Sequence, residues 1–514
     1  MEAVPTIEAK EESALQDAAV LGRGAGVSLT GGIAARGLNF GSQIVIARLL
    51  GVADFGLYSL GWTLVRIFPS LSTLGLEAGV TYLGAHYLRL DQRRFKGAVR
   101  QSITIAFVSG VTLGVVIYLV APTLADRVFH KPDALPIIRA FSPAFPLYAV
   151  LIVGNSITAL SHRMQYAMCS NVAVAGATLC LFCVLFLLGC GVIGAVFSVV
   201  GGIAIGLIIS LCFVASIFPS TLDKRAPTQL VGRELLGYSA PLIISGLASS
   251  SLTFVDRLFV ASFCTSRDLG IYQAASQVAI LFTIFGGAFH GILSPMIADL
   301  HAGREVRRVA ELYRICVKWA LYVAIPAFLV IFFAPGEVVR LFYGTAYVAA
   351  ATPLVILSLG QIFLITTASA GPTLLMTGQH KTFIAIPVAI LPIDVLLTWV
   401  LVGRFGLQGA AIAAAASALT LALVAIVAVK ISLGIWPFDG RCLKFFVAAA
   451  ATFVLLFACQ SLKIQSSALK LAFLTTVSVM GFFGCLTMLG LDAEDRTVLR
   501  LFLRHFSSNA LLNG

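Results

Sequence analysis

Residues 36–100 read RGLNFGSQIVIARLLGVADFGLYSLGWTLVRIFPSLSTLGLEAGVTYLGAHYLRLDQRRFKGAVR. Two apolar segments meet at a tight turn, ARLLGVADFGLYSL (47–60), and a basic cluster follows at 93–100. The second segment, from about Gly56 to His86, is long enough to cross a bilayer with tilt, yet it holds Arg66 and Glu77. On a continuous helix Ser59, Thr63, Arg66, Ser70, Thr73, Glu77 and Thr81 fall three or four apart and share one face. A charge facing lipid near mid-membrane costs roughly 3 kcal/mol or more, so this stripe is expected to face a watery cavity or other helices. The first segment repeats the pattern with Ser28, Gly32, Arg36, Asn39 and Gln43. Two readings fit. The charges are ion pairs that fix helix register, or they form a polar, net cationic cavity wall.

The rest of the composition agrees with a membrane solvent. The 514 residues are 59% hydrophobic and 11% charged, with a mean hydropathy of +0.98, whereas soluble domains carry about 25% charged residues. The chain reads as an all-α polytopic membrane protein. Its net charge of +12 is accounted for by basic loops on one side of the membrane. No soluble basic module with interleaved aromatics suggests a nucleic-acid partner. Ten cysteines form no framework; Cys180 and Cys183 make a lone C-x-x-C inside an apolar segment and read as small buried hydrophobes. The first residues include Glu2, Glu8, Glu11, Glu12 and Asp17 without an apolar core, so a cytoplasmic tail is expected rather than a signal peptide.

In chain order the pattern predicts about 14 transmembrane helices: a tail (1–23), six helices in 24–218, a polar linker (219–234), six more in 235–432, two further spans in 433–490, and an amphipathic cytoplasmic tail (491–514). With an inside N-terminus, 23 Lys/Arg fall on the cytoplasmic side and nine on the other, which puts both termini in the cytoplasm. The two six-helix lobes repeat. DFGLY at 54–58 returns as DLGIY at 268–272, Arg100 as Arg314, Pro122 as Pro335, and GVIGA at 191–195 as GLQGA at 406–410. An even number of helices per repeat makes the repeats parallel, with a site expected between the lobes near the midplane.

ARLLGVADFGLYSL followed by LGLEAGVTYLGAHY (74–87) resembles the opening of the polysaccharide transporter family, the flippases for lipid-linked oligosaccharides. That family shares a superfamily with multidrug and toxin extruders and with the peptidoglycan-precursor flippase. The resemblance implies a bacterial inner-membrane protein that moves a polyprenyl-diphosphate-linked oligosaccharide between leaflets by rocking two lobes. Glycan polymerases and other assembly proteins are implied as candidate partners.

The chemistry within the spans fits such a task. No Walker A, H-E-x-x-H or G-x-S-x-G sequence occurs, and no connector is long enough for a soluble catalytic domain. Neither an enzyme nor a cofactor is expected. The candidate cavity residues are Arg36, Asn39, Gln43, Arg66, Ser70, Thr73 and Glu77 in the first lobe, with Asp256 and Arg257 in the second. Guanidinium groups suit a diphosphate, because their planar fork makes paired, charge-assisted hydrogen bonds. Arg257 lies near a helix end, so snorkelling to the interface competes with a cavity role. Asp394 and His290 are candidates for coupling to a proton or sodium ion; Asp394 could instead pair with Arg36 or Arg66. At the repeat offset Arg36 matches Ser250 and Arg66 matches Ile280, which concentrates cations in the first lobe. The rivals are a cation-coupled drug antiporter, expected to show a carboxylate-rich pocket, and a membrane-embedded glycan polymerase or ligase, expected to carry a large external loop.

Overall fold

The computed structural model describes residues 32, 34–161, 165–219, 229–287, 290–438, 442–461, 466–490 and 495. Among the described residues every regular element is helical. An N-terminal group comprises α1 (34–50), α2 (Val52–Ile67), α3 (Pro69–Thr73), α4 (Leu76–Leu90), α5 (Gln92–Thr123), α6 (Ala134–Phe141), α7 (Ala144–Ala159), α8 (Gln165–Leu187) and α9 (Gly191–Ile217). A C-terminal group comprises α10 (Gly232–Phe263), α11 (Ser266–Ala279), α12 (Thr283–Gly287), α13 (His290–Ala302), α14 (Val306–Phe333), α15 (Pro335–Tyr343), α16 (Ala351–Ile365), α17 (Ala370–Met376) and α18 (His380–Leu433). Beside it stand α19 (Cys442–Cys459) and α20 (Ser467–Met488), with α20 packed on α14 and α15.

Among the described residues ten helices are long and apolar enough to cross a membrane. The difference from fourteen lies in how the chain bends. The 54 residues of α18 are two helices joined at Gly406, whose φ of 55° interrupts the run. The apolar part of α19 is only 17 residues long, and α1 is described only from residue 34. The expected single helix from Gly56 to His86 is broken twice. It stops at Phe68, restarts with Pro69 at the first position of α3, and breaks again where Leu74 and Gly75 adopt left-handed φ of 52° and 69°. The equivalent helix in the second half is interrupted at Ile280–Phe282 by a tight 3-10 turn. The Ser59–Thr81 stripe is therefore not one continuous face. The cysteine reading also changes: Cys180 and Cys183 are exposed on α8, not buried. The N-terminal tail and Ser28 lie outside the described residues. So does the C-terminal tail apart from Asp495, which accepts from Trp319 Nε1 at 2.9 Å and pairs with Lys318 at 3.0 Å.

The repeated motif is a helix start and a close crossing. Asp54 lies in the first turn of α2, where a carboxylate favours the helix dipole. Asp268 closes a capping box with Thr265 at the start of α11. Two residues on, Gly56 and Gly270 meet. A Cβ on Gly56 would stand 1.9 Å from the Ser266 carbonyl oxygen, and one on Gly270 would stand 2.0 Å from that of Val52. The two groups thus touch backbone to backbone at this end. Lys131, from the N-terminal group, adds donation to the carbonyls of Ala261 and Cys264 (2.7 Å to the latter) at the end of α10; burial pushes its ammonium down. At the opposite end α4 packs on α10, with Gly79 against the Ser239 hydroxyl, Tyr87 donating to Glu234, and Arg94 3.9 Å from Glu234. The groups meet at both ends and part between them.

Candidate functional site: an arginine-lined chamber

Between the two groups lies a chamber of about 530 Å³, and a second of about 430 Å³ adjoins it. The larger chamber, about 530 Å³, is lined by Arg36 and Asn39 from α1, Trp62, Thr63 and Arg66 from α2, and Phe254 and Arg257 from α10. Arg66 sits at the end of α2, ten residues from the Gly56 crossing, or about 15 Å along the helix. No carboxylate is among the chamber's described lining residues. Three guanidinium groups therefore face one space. Arg66 is held by aromatic faces, 5.8 Å from the Trp62 ring centre and 5.3 Å from that of Phe254, with one long hydrogen bond of 3.4 Å to the Tyr148 hydroxyl. Such stacking stabilises a cation while leaving most of its N–H edge open. Arg257 donates to the Thr253 carbonyl at 2.8 Å, lies 3.9 Å from Asp256, and keeps a buried Nε without a partner. It lines the chamber rather than snorkelling. Among the described residues Arg36 makes no hydrogen bond or ion pair, and it is exposed.

Other expected wall residues lie elsewhere, because the breaks at Phe68 and Gly75 turn them away. The Ser70 hydroxyl fills the notch at Gly246 of α10, where an added Cβ would be 2.2 Å from it. Thr73 is fully buried and accepts from the Gly75 N–H at 3.3 Å. Glu77 has a buried oxygen without a partner and lines neither chamber. Gln43 is buried and donates to the Tyr58 hydroxyl at 3.1 Å. The sequence reading passed over Tyr148, Asn171, Gln273 and Gln277, which do line the chamber. The helices of Tyr148 and Asn171 carry no charge to draw attention to a face, and the charges of α11, Arg267 and Asp268, sit in its first turn, away from Gln273 and Gln277.

The second chamber, about 430 Å³, lies within the C-terminal group and shares Arg257, Ile280 and Thr283 with the first. Asp256 faces it, accepting from the Tyr272 hydroxyl at 2.6 Å and from the Arg257 N–H at 2.8 Å. Ser417, also on its wall, donates at 2.5 Å to Asp394. Asp394 is 2% exposed, so it is tied to the second leg of α18 and not to Arg36 or Arg66. His290 opens α13, and its side chain lies outside the described residues. The repeat is visible here too: the Gln43–Tyr58 hydrogen bond in the first half is echoed by Tyr272–Asp256 in the second, one residue off the 214 offset on the first helix, with an amide in one and a carboxyl group in the other.

Residues 21–301, more than half the chain, match the family described as polysaccharide biosynthesis protein. The chain belongs to that family. This member of the polysaccharide biosynthesis protein family also matches the MatE family over residues 241–400. It is 23% identical over 212 residues to a probable low-salt glycan biosynthesis flippase, Agl15, of Haloferax volcanii, covering 41% of this chain and 44% of that protein. It is 23% identical over 353 residues to EpsE, an EPS I polysaccharide export inner membrane protein of Ralstonia solanacearum, covering 66% and 75%. The match spans less than half the length of Agl15. In fold the family member superposes on the lipid II flippase MurJ in an inward closed conformation with a TM-score of 0.71 at 14% identity, over 90% of this chain and 98% of that one. A multidrug MATE transporter in an inward-facing conformation gives 0.61 at 16% identity, over 80% and 98%. The protein is thus a multi-pass membrane protein of the polysaccharide biosynthesis protein family with the fold of MurJ.

Proposed function

We propose that the protein carries a polyprenyl-diphosphate-linked oligosaccharide across the cytoplasmic membrane by alternating access. The observation that carries this reading is the arginine chamber: Arg36, Arg66 and Arg257 face one space with no carboxylate among its described walls. A diphosphate compensates such cations, which are costly when left alone at this depth. Arg66, held by Trp62 and Phe254, presents its donors to the phosphate oxygens, and Arg36 and Arg257 close on the same group. Asn39 and Gln273 add neutral donors. On this reading two six-helix lobes (24–218 and 235–432), within about fourteen spans, rock about the site, with residues 433–490 alongside and both termini cytoplasmic. Asp394 and Asp256 form the acidic pair through which a proton or sodium ion exchanges with cargo. The MatE match and that acidic pair favour a drug antiporter as the second reading, but three arginines oppose an organic cation.

The test is glycan export by cells depleted of the native protein and supplied with Arg36→Ala or Arg66→Ala at matched membrane abundance. The expected result is accumulation of a lipid-linked glycan in the inner leaflet, with Arg→Lys restoring export only in part. Full export by both alanine variants refutes the reading.

A further inference from the structure

The second chamber has a different chemistry from the first. We propose that it is the sugar subsite, and that it selects an uncharged sugar next to the diphosphate; this rests on the diphosphate reading of the arginine chamber. The two spaces share Arg257, Ile280 and Thr283, so a ligand group held by Arg257 has its neighbour at the mouth of the second chamber.

The walls there offer hydrogen bonds suited to hydroxyl groups. Thr253, Thr283 and Thr367 donate their protons to carbonyls of their own helices, at 3.0, 2.7 and 2.9 Å. Their oxygen lone pairs remain to accept from a ligand. Ser276 is 4% exposed, and its hydroxyl has no partner. Gln361 makes no hydrogen bond among the described residues, leaving two donors and an acceptor. A buried polar atom without a partner is costly, and a ligand hydroxyl satisfies it. Leu364, Phe383 and Pro387 supply apolar wall for the C–H faces of a pyranose ring. A lipid tail would leave Ser276 and Gln361 unsatisfied.

Charge sets the selectivity. Asp256 and Arg257 are the ionisable groups on the described walls. Asp256 is already engaged by Tyr272 and the Arg257 N–H, and Asp394 stands behind Ser417. With Arg257 committed to the diphosphate, a uronic acid placed here sets its carboxylate against Asp256, and like charges brought together in a desolvated site repel strongly. A neutral hexose meets no such opposition.

The experiment uses the full chain in lipid nanodiscs and measures binding of three probes: a polyprenyl diphosphate with no sugar, with one neutral hexose, and with one uronic acid. The hexose is expected to tighten binding about tenfold over the bare diphosphate, the gain from one or two net hydrogen bonds, and the uronic acid to add nothing. The double variant Ser276→Ala/Gln361→Leu is expected to lose the hexose gain while binding the bare diphosphate as the native protein does, which also reports that it is folded. Equal affinity for all three probes, or an undiminished hexose gain in the double variant, overturns the sugar subsite. Failure of the native protein to bind any probe, or binding indifferent to Arg66→Ala, overturns the diphosphate reading beneath it.

Discussion

Replacing Gly270 with alanine puts a single methyl group into the crossing of α2 and α11. That carbon would lie 2.0 Å from the Val52 carbonyl oxygen and 3.2 Å from the Gly56 nitrogen, while real Cβ contacts begin near 3.0 Å. The helices must therefore separate by about 1 Å at this point. Both neighbours are backbone, so no side chain can swing aside. Overpacking of this kind costs about 1–3 kcal/mol. The cost falls on the form closed at the Asp54 end and not on a form in which the two groups have parted. The population ratio should shift by about 5- to 150-fold toward the parted form, at 1.4 kcal/mol per decade. Spin labels on Asp126 and Arg404, exposed on the two groups at this end, read the change as a longer distance distribution by double electron–electron resonance. Gly56→Ala, with its 1.9 Å contact to the Ser266 oxygen, should act alike. A folded Gly270→Ala protein with the native distance distribution would sink the argument that this crossing closes the cavity.

Two further outcomes can be checked more simply. In a cysteine-free background, cysteine at exposed Asp54 should react with an impermeant maleimide in intact cells, and cysteine at exposed Arg307 should not; the reverse result inverts the proposed orientation. At the α15–α20 contact, burial pushes the Glu337 carboxyl up, and the hydrogen bond from Lys470, a backbone hydrogen bond and the charges of Lys470 and Arg340 together more than reverse this, so its pKa is lowered on folding. A lowered carboxylate pKa contributes stability above the unfolded value, and that stability is lost as pH falls through the folded value. For a partly exposed pair the contribution is below about 1 kcal/mol. Lys470→Met should therefore lower the melting temperature slightly at pH 7, with the gap to the native protein closing below about pH 4, near the ordinary glutamate range. A gap that stays constant with pH assigns the effect to packing instead.

The sequence exposed the membrane solvent and most helix positions, because twenty apolar residues in a row admit few other readings. It exposed Arg36, Asn39, Arg66 and Arg257 because a cation inside a span must face something polar. It misplaced Ser70, Thr73 and Glu77 by carrying one helical face through Pro69 and Gly75. Proline at the start of a new helix and glycine at a left-handed position are local signals, and they outweigh a run of matching polar residues. The partners of Gln43 and Asp394 were not legible. Tyr58 and Ser417 reach them through tertiary packing, across 15 and 23 residues of chain.

On the proposed diphosphate-carrier reading, the arginine chamber has an electrical consequence. With a diphosphate aboard, the space is close to neutral, and the loaded protein shifts little net charge through the membrane field. Emptied, it presents up to three cations with no carboxylate on its described walls. Each full charge moved across is worth about 2.3 kcal/mol per 100 mV. In a membrane negative on the inside, that field draws the empty chamber back toward the cytoplasm, where new cargo is made. The resetting half of the cycle is then the voltage-sensitive half, and transmembrane voltage helps to recycle the carrier whether or not a cation gradient is present.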